Sequence, residues 1–597
     1  MARSYLCWII IARLFRTHSI WTALTRAMNK LLKALGFSGL LLLSGGCATV
    51  VDAQAPTEPE FTIRPTLQPS PRADVMYQLL AAELAGKRDQ LEVALSHYQK
   101  VALISDDPRV AERAAVLALL MKENAAALAL AQRWRALAPG DEQAQQTLAL
   151  ALLRNGRLEE AAGYLETVRR AGSKKDQQQG YATIAALLGQ ADDKALALRV
   201  MGQFRDRNPR SAFAQYYYAM LAAAAGNREQ ALSSLDLALA RDPKLAPAHL
   251  LRTRLLLDGG DNEAALAGLT QAVAALPRDR NLRMSYARLL IDTGQLDKAR
   301  REFATLLSQN PKDTDSLYAL GLLAAETRQF DLAETYFLDL IKRKTRLADA
   351  YFELGRVEEQ RGDYAKARGW YERVKNDERY LLAQMRMGAV LAKAGDIAAA
   401  SQHFDTLRRN HPQNAITLYL AEAEALREAE RYQEAFDSLE RALVVHPDDK
   451  ELQYARALAA EKIDRLDVLE RDLRTILAAD PKNGQALNAL GYTLADRTDR
   501  YQEALGYIEQ ALAQMPDDAA VLDSMGWVQY RLGNRDQAVD YLRRAYRANA
   551  DAEIAAHLSE VLWVNGQREE AKKIWKEALA REPDSVHLRK LRERFGW

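Results

Sequence analysis

Leu317-Tyr318-Ala319-Leu320-Gly321, followed by Ala333 and Phe337, returns as Tyr351-Phe352-Glu353-Leu354-Gly355, followed by Ala367 and Tyr371. The two stretches are one pattern written twice, 34 residues apart. Two closely crossing helices need such a pattern: small residues where the backbones approach, and a ring one turn away to fill the groove. A third copy reads Gln384…Met387-Gly388, Ala400 and Phe404, with glutamine in the leading position. Outward from here, alanine recurs at Ala231, Ala265 and Ala299, then on to Ala94 upstream and Ala571 downstream, in steps of 33 to 36. Leu469 alone takes an alanine slot. Prolines such as Pro209, Pro243, Pro277, Pro311 and Pro447 follow twelve residues behind, where a second helix has to stop. Glycines such as Gly226, Gly260, Gly294 and Gly533 mark the turn between the paired helices.

A fixed period of this size marks a repeat architecture, and 34 residues is the length of a helix–turn–helix tetratricopeptide unit. The expected fold is therefore all-α, a superhelical solenoid of about fifteen units over residues 75–583. Each unit packs on its neighbours, so no single central core is needed. Residues 584–597 read as a final capping helix, charged on the face that no later repeat covers. Such stacks present long surfaces for binding other proteins.

Lysine plus arginine number 82 against 80 acidic residues, which removes the strongly basic footprint of a nucleic-acid binder. Beyond Cys47 there is no nucleotide loop, HExxH helix or nucleophile elbow, and the histidines fall in different repeats. No enzymatic activity, cofactor or metal is expected.

The N-terminal region reads differently. Met28-Asn29-Lys30-Leu31-Leu32-Lys33 is a short basic segment ahead of the apolar run Leu40-Leu41-Leu42-Leu43, which is too short to span a membrane. Ser44-Gly45-Gly46-Cys47 then resembles a bacterial lipobox, with serine where that motif prefers leucine. The resemblance implies that residues 28–46 are a lipoprotein signal peptide and that Cys47 carries the lipid; an ordinary cleaved signal is the alternative. Residues 1–27 read as an upstream extension of the frame or a long n-region. Residues 47–74 hold the lipidated cysteine and a proline-rich tether (Pro56, Pro59, Pro65, Pro69, Pro71). Twenty-seven residues of flexible coil span roughly 30 Å, and the prolines lengthen that. Cys7 and Cys47 are the only cysteines, so no disulfide contributes beyond the anchor.

In tetratricopeptide units, first-helix positions 2, 5, 9 and 12 line the inner face. In the last three repeats these include Asn488, Tyr492, Asp523, Trp527, Tyr530, Glu560 and Trp563. Aromatic anchors beside polar groups are the usual composition of a protein-binding hot spot, although the same aromatics can simply pack between helices. The run Tyr216-Tyr217-Tyr218 with Met220 is a second candidate; a helix points three successive residues in different directions, so at most two can face a groove.

Asn488-Ala489-Leu490-Gly491-Tyr492-Thr493-Leu494-Ala495-Asp496, Leu522-Asp523-Ser524-Met525-Gly526-Trp527 and Ala555-Ala556-His557-Leu558 resemble a proteobacterial family of outer-membrane tetratricopeptide lipoproteins. Its best-known member is an adaptor of a periplasmic carboxy-terminal processing protease that degrades cell-wall hydrolases. The resemblance implies a membrane-anchored periplasmic adaptor, with that protease and its substrates as partners. Ala48, in place of an aspartate after the cysteine, implies the periplasmic face of the outer membrane. The alternative is an assembly scaffold of an envelope export or secretion complex.

Overall fold

A computed structural model describes residues 71–173, 177–191, 193–375 and 377–597. Cys47, the signal segment and the tether up to residue 70 lie outside the described residues. The described residues form thirty-one α-helices, numbered here from α1 (Pro71–Lys87) to α31 (Val586–Phe595), and one short 3-10 turn. The first thirty pair into fifteen helix–turn–helix units, and α31 follows as an unpaired last helix. The helical region opens at Pro71, four residues before the boundary expected at Val75. Proline suits that place, because the first helical N–H has no intrahelical partner to lose.

Local sequence accounts for where the helices begin and turn. First helices start behind a capping side chain: Asp279 accepts from the Leu282 N–H, Asp313 from Ser316, Asp449 from Leu452 and Asp551 from Ile554. Between paired helices one residue adopts a left-handed conformation, glycine at Gly226, Gly260, Gly294 and Gly533. The same slot is left-handed at Arg328, Glu430 and Asp464, where no glycine marks it.

The repeat residues meet as the spacing requires. A Cβ added at Gly321 would fall 2.5 Å from the Phe337 ring, and one at Gly355 2.5 Å from Tyr371. Phe303, Phe337, Tyr371 and Phe404 are fully buried, as are the periodic alanines Ala231, Ala265, Ala299, Ala333 and Ala367. Burying one such ring contributes about 1.5–3 kcal/mol. The second helix that ends in Tyr371, α18 (Tyr364–Tyr371), is only 8 residues long and lacks the usual closing turns.

Contacts divide the chain into two compact units, one ending at Pro311 and one running from Lys312 to Trp597. In the first, Tyr217 and Tyr218 are buried, while Tyr216 is half-buried with its ring 4.9 Å from that of Tyr217. Burial, and then Tyr217 beside it, push the Tyr216 hydroxyl up to about 12. The tyrosine run therefore offers one edge at most, with two of its three rings inside the helix stack. In the second unit, charged side chains tie successive first helices together. Glu353 accepts from Arg356 and Arg379, and Arg379 also reaches Asp349 and the Tyr318 hydroxyl.

Candidate partner-binding face

Three successive first helices build the candidate face: α25 (Gly484–Arg497), α27 (Ala519–Arg531) and α29 (Ala552–Val564). Each begins at a capping side chain, Asn483, Asp518 and Asp551, which accepts from backbone N–H groups of the first turn and so fixes where the helix starts. Glycine brings each of the first two close to its partner helix. A Cβ at Gly491 would lie 2.6 Å from Ile508, and one at Gly526 2.5 Å from Leu542.

Cross-repeat hydrogen bonds join the positions that the repeat pattern singles out. The Tyr492 hydroxyl donates to Glu553 at 3.0 Å, across 61 residues of sequence. Trp527 Nε1 donates to Asp496 Oδ1 at 3.2 Å, and the Tyr530 hydroxyl donates to Glu560 at 3.3 Å. Glu560 also accepts from Arg594, on α31, at 2.6 Å. Trp527 lies between Tyr530 (centroids 5.3 Å apart) and His557 (4.3 Å, nearly parallel).

His557 is the centre of this arrangement. Its Nδ1 is 2.9 Å from Asp523 Oδ2, and both residues are buried. Burial opposes a charge on the imidazole, but Asp523, with Glu553 and Asp496 beyond it, outweighs that effect and pushes the pKa up to about 9. The raised pKa favours the charged imidazole, stacked on an indole and bonded to Asp523, whose own carboxyl burial pushes up. Burial, and then Glu553, raise the Tyr492 hydroxyl well above its usual range, so it stays a donor.

The structure thus brings together Tyr492, Asp523, Trp527, Tyr530 and Glu560. Asn488 lies one turn before Tyr492; it is half-buried, and its Oδ1 has no hydrogen-bond partner. Trp563 belongs to a different group. Its ring is 5.7 Å from Phe595 and 5.1 Å from Trp597, with Arg568 and Lys572 over its face. Trp527, Asp523 and Glu560 are themselves buried, which leaves Asn488, Tyr492 and Tyr530 as the half-buried edges. Reading positions alone missed His557, Asp496, Glu553 and Arg594. Glu553 stands at position 2 of its repeat and was within reach of the same rule; His557, one place beyond position 5, was not.

Among the described residues no group of histidine, cysteine and carboxylate side chains is arranged to hold a metal ion. Among them, too, no helix is long and apolar enough to cross a membrane.

Fold and face together define a helical repeat protein of the kind that binds other proteins. Tetratricopeptide repeat models match residues 256–326, 318–380, 420–468 and 482–551. The chain is 41% identical over 544 residues to the TPR repeat-containing protein PA4667 of Pseudomonas aeruginosa, covering 90% of this chain and 91% of that one. It belongs to this family of tetratricopeptide repeat-containing proteins. Among solved structures, yeast Tom70 aligns over 87% of this chain and 94% of its own, at 14% identity and a TM-score of 0.34. Cut9–Hcn1 of the anaphase-promoting complex aligns over 87% of this chain and 96% of its own, at 15% identity and a TM-score of 0.30.

Proposed function

We propose that the protein is a membrane-anchored periplasmic adaptor, held by a lipid on Cys47, that binds a carboxy-terminal processing protease and presents its substrates, cell-wall hydrolases among them. The observation that carries this reading is the joined face of Tyr492, Trp527 and Tyr530, where aromatic edges and hydrogen-bonding groups from three successive repeats come together. The likeness of residues 488–496, 522–527 and 555–558 to the lipoprotein adaptors supports it, as does the lipobox-like Ser44-Gly45-Gly46-Cys47.

The mechanism is one of effective concentration. Holding two partners on one scaffold turns their encounter into an intramolecular event, worth about 10²–10⁴ in avidity without any new catalytic group. Capture from solubilised membranes, with the tagged full chain as bait and mass spectrometry as readout, tests the reading. A processing protease recovered with wall hydrolases supports it. Export or secretion components without a protease establish the assembly-scaffold alternative. The anchor has its own test: Cys47→Ser moves the protein from the membrane to the soluble fraction, and continued membrane retention rules the lipid out.

A further inference from the structure

First-helix positions 2, 5, 9 and 12 of the last four repeats carry five carboxylates: Glu451, Glu461, Asp523, Glu553 and Glu560. Asp496 joins them through its bond from Trp527. None of these positions holds a lysine or arginine. The aromatic positions among them are Tyr454, Tyr492, Trp527, Tyr530 and Trp563, and Leu458 adds an apolar side chain that is 37% exposed. The same positions in the three repeats from Ala212 to Asn310 reverse this pattern: they have no carboxylate, and Arg254 and Arg288 stand among Phe213, Tyr216, Met220 and Leu250.

The C-terminal face already holds one cation. The His557 ring lies over Trp527 at 4.3 Å and against Asp523, which favours its charged form although the ring is buried. Near the face, the positive groups include His557, Arg594, Lys462, Arg531 and Arg535; Arg594 is committed to Glu560, Lys462 lies 3.6 Å from Glu461, and Arg531 donates to the Asp496 carbonyl at 3.3 Å. Six carboxylates stand against these five cations, and Tyr492 and Tyr530 are half-buried beside them. A π-face beside a carboxylate favours a guanidinium or ammonium group, the more so when it is desolvated.

We propose that the first-helix face of the last four repeats receives a basic segment of the partner protein, its lysine or arginine side chains lying over Tyr492 and Tyr530 among the carboxylates. This rests on the reading of that face as a partner surface. An acidic segment would meet like charge, which suppresses wrong partners, and an apolar one would gain nothing from the carboxylates.

The test is fluorescence anisotropy of the full chain with two labelled peptides, one carrying alternating Arg and Tyr and the other identical but with Glu for each Arg. The basic peptide is expected to bind at least tenfold more tightly, with affinity falling as salt rises. Glu451→Lys with Glu461→Lys, the first exposed and the second half-buried, is expected to weaken it by tenfold or more with helical content unchanged. Arg254→Glu in the other unit is expected to leave it as it was. Equal binding of both peptides overturns the basic-segment proposal while the face stands as a partner surface. Binding of the basic peptide that the double variant leaves intact overturns it too, since the peptide then sits elsewhere. If neither peptide binds while the membrane capture still recovers partners that Tyr492→Ala with Tyr530→Ala releases, the proposal falls and the face remains. If that variant releases nothing, both fall.

Discussion

His557 Nδ1 lies 2.9 Å from Asp523 Oδ2, one repeat away in sequence and on the neighbouring first helix. The pair closes a buried junction between the last two repeats, with Trp527 stacked on the imidazole and Tyr492, Asp496 and Glu553 around it. Folding raises the histidine's pKa from 6.5 to about 9. A group whose folded pKa is raised stabilises the fold fully below its unfolded pKa and loses that contribution as pH climbs through the folded one. The shift corresponds to about 3 kcal/mol. Urea unfolding of the C-terminal repeats, followed by tryptophan fluorescence, should therefore weaken between about pH 6.5 and 9 by more in the native chain than in His557→Gln. Parallel pH profiles would show that folding does not raise the imidazole's pKa.

Two glycines of one repeat should respond with opposite sign to the same change. Gly506 lies within the helix Tyr501–Gln514 with nothing within 4 Å of an added Cβ, so Gly506→Ala should stabilise by about 1 kcal/mol through helix propensity alone. At Gly491 the added atom would fall 2.6 Å from Ile508 and 3.1 Å from the Ala504 carbonyl, which is backbone and cannot turn aside. Gly491→Ala should cost about 1–3 kcal/mol. Thermal melts of the two variants decide the matter, and a stabilised Gly491→Ala would mean that these helices cross less closely than described.

Glu422, with no exposed surface, accepts from Arg408 at 2.7 Å and from the Ser438 hydroxyl at 2.8 Å. Removing Glu422 leaves the buried Arg408 with Asp405 as its ionic partner and the Ser438 hydroxyl without its acceptor. Glu422→Ala should accordingly cost about 1–3 kcal/mol. Replacing both partners with apolar residues, Glu422→Leu with Arg408→Met, should recover most of that loss, because the pair's desolvation cost disappears with its attraction. Denaturant titration of the single and double variants measures the difference. A double variant no better than the single would show that the pair is net stabilising.

The fold was legible because its packing rule is written into side-chain size. Gly355 with Tyr371, or Gly388 with Phe404, can be read at sight as a close approach and the ring that fills it. The left-handed turn was legible only where glycine occupies it; Arg328 and Glu430 adopt the same backbone without advertising it. The candidate face was half legible. Position counting finds Tyr492 and Trp527, but the bond from Tyr492 to Glu553 skips a whole repeat and depends on how three helices stack. Trp563 shares a slot with Tyr530, yet the final helix draws its ring into another cluster. No period could reveal that, since the chain beyond Pro583 no longer repeats.

That last cluster makes a prediction of its own. Trp597 lies 5.1 Å from Trp563, 5.4 Å from Trp575 and 5.5 Å from Phe595, and Trp575 Nε1 donates to the Leu588 carbonyl at 2.9 Å. On the other side, α31 exposes Arg589, Lys590, Arg592 and Glu593, so the apolar end of the stack is covered and the outer surface is charged. Each aromatic pair adds about 0.5–1.5 kcal/mol beyond the area it buries. Trp597→Ala should thus destabilise the last repeat by about 1–3 kcal/mol, and Leu591→Ala, which empties a buried site, by about 2–5. Because packing runs chiefly between neighbouring repeats, with the Tyr492–Glu553 bond reaching one further, the loss should stay local. Hydrogen exchange should quicken over residues 552–595 and remain unchanged before Gly484. Protection lost evenly across the second unit would instead mean that its repeats unfold as one block and that the final helix holds them all.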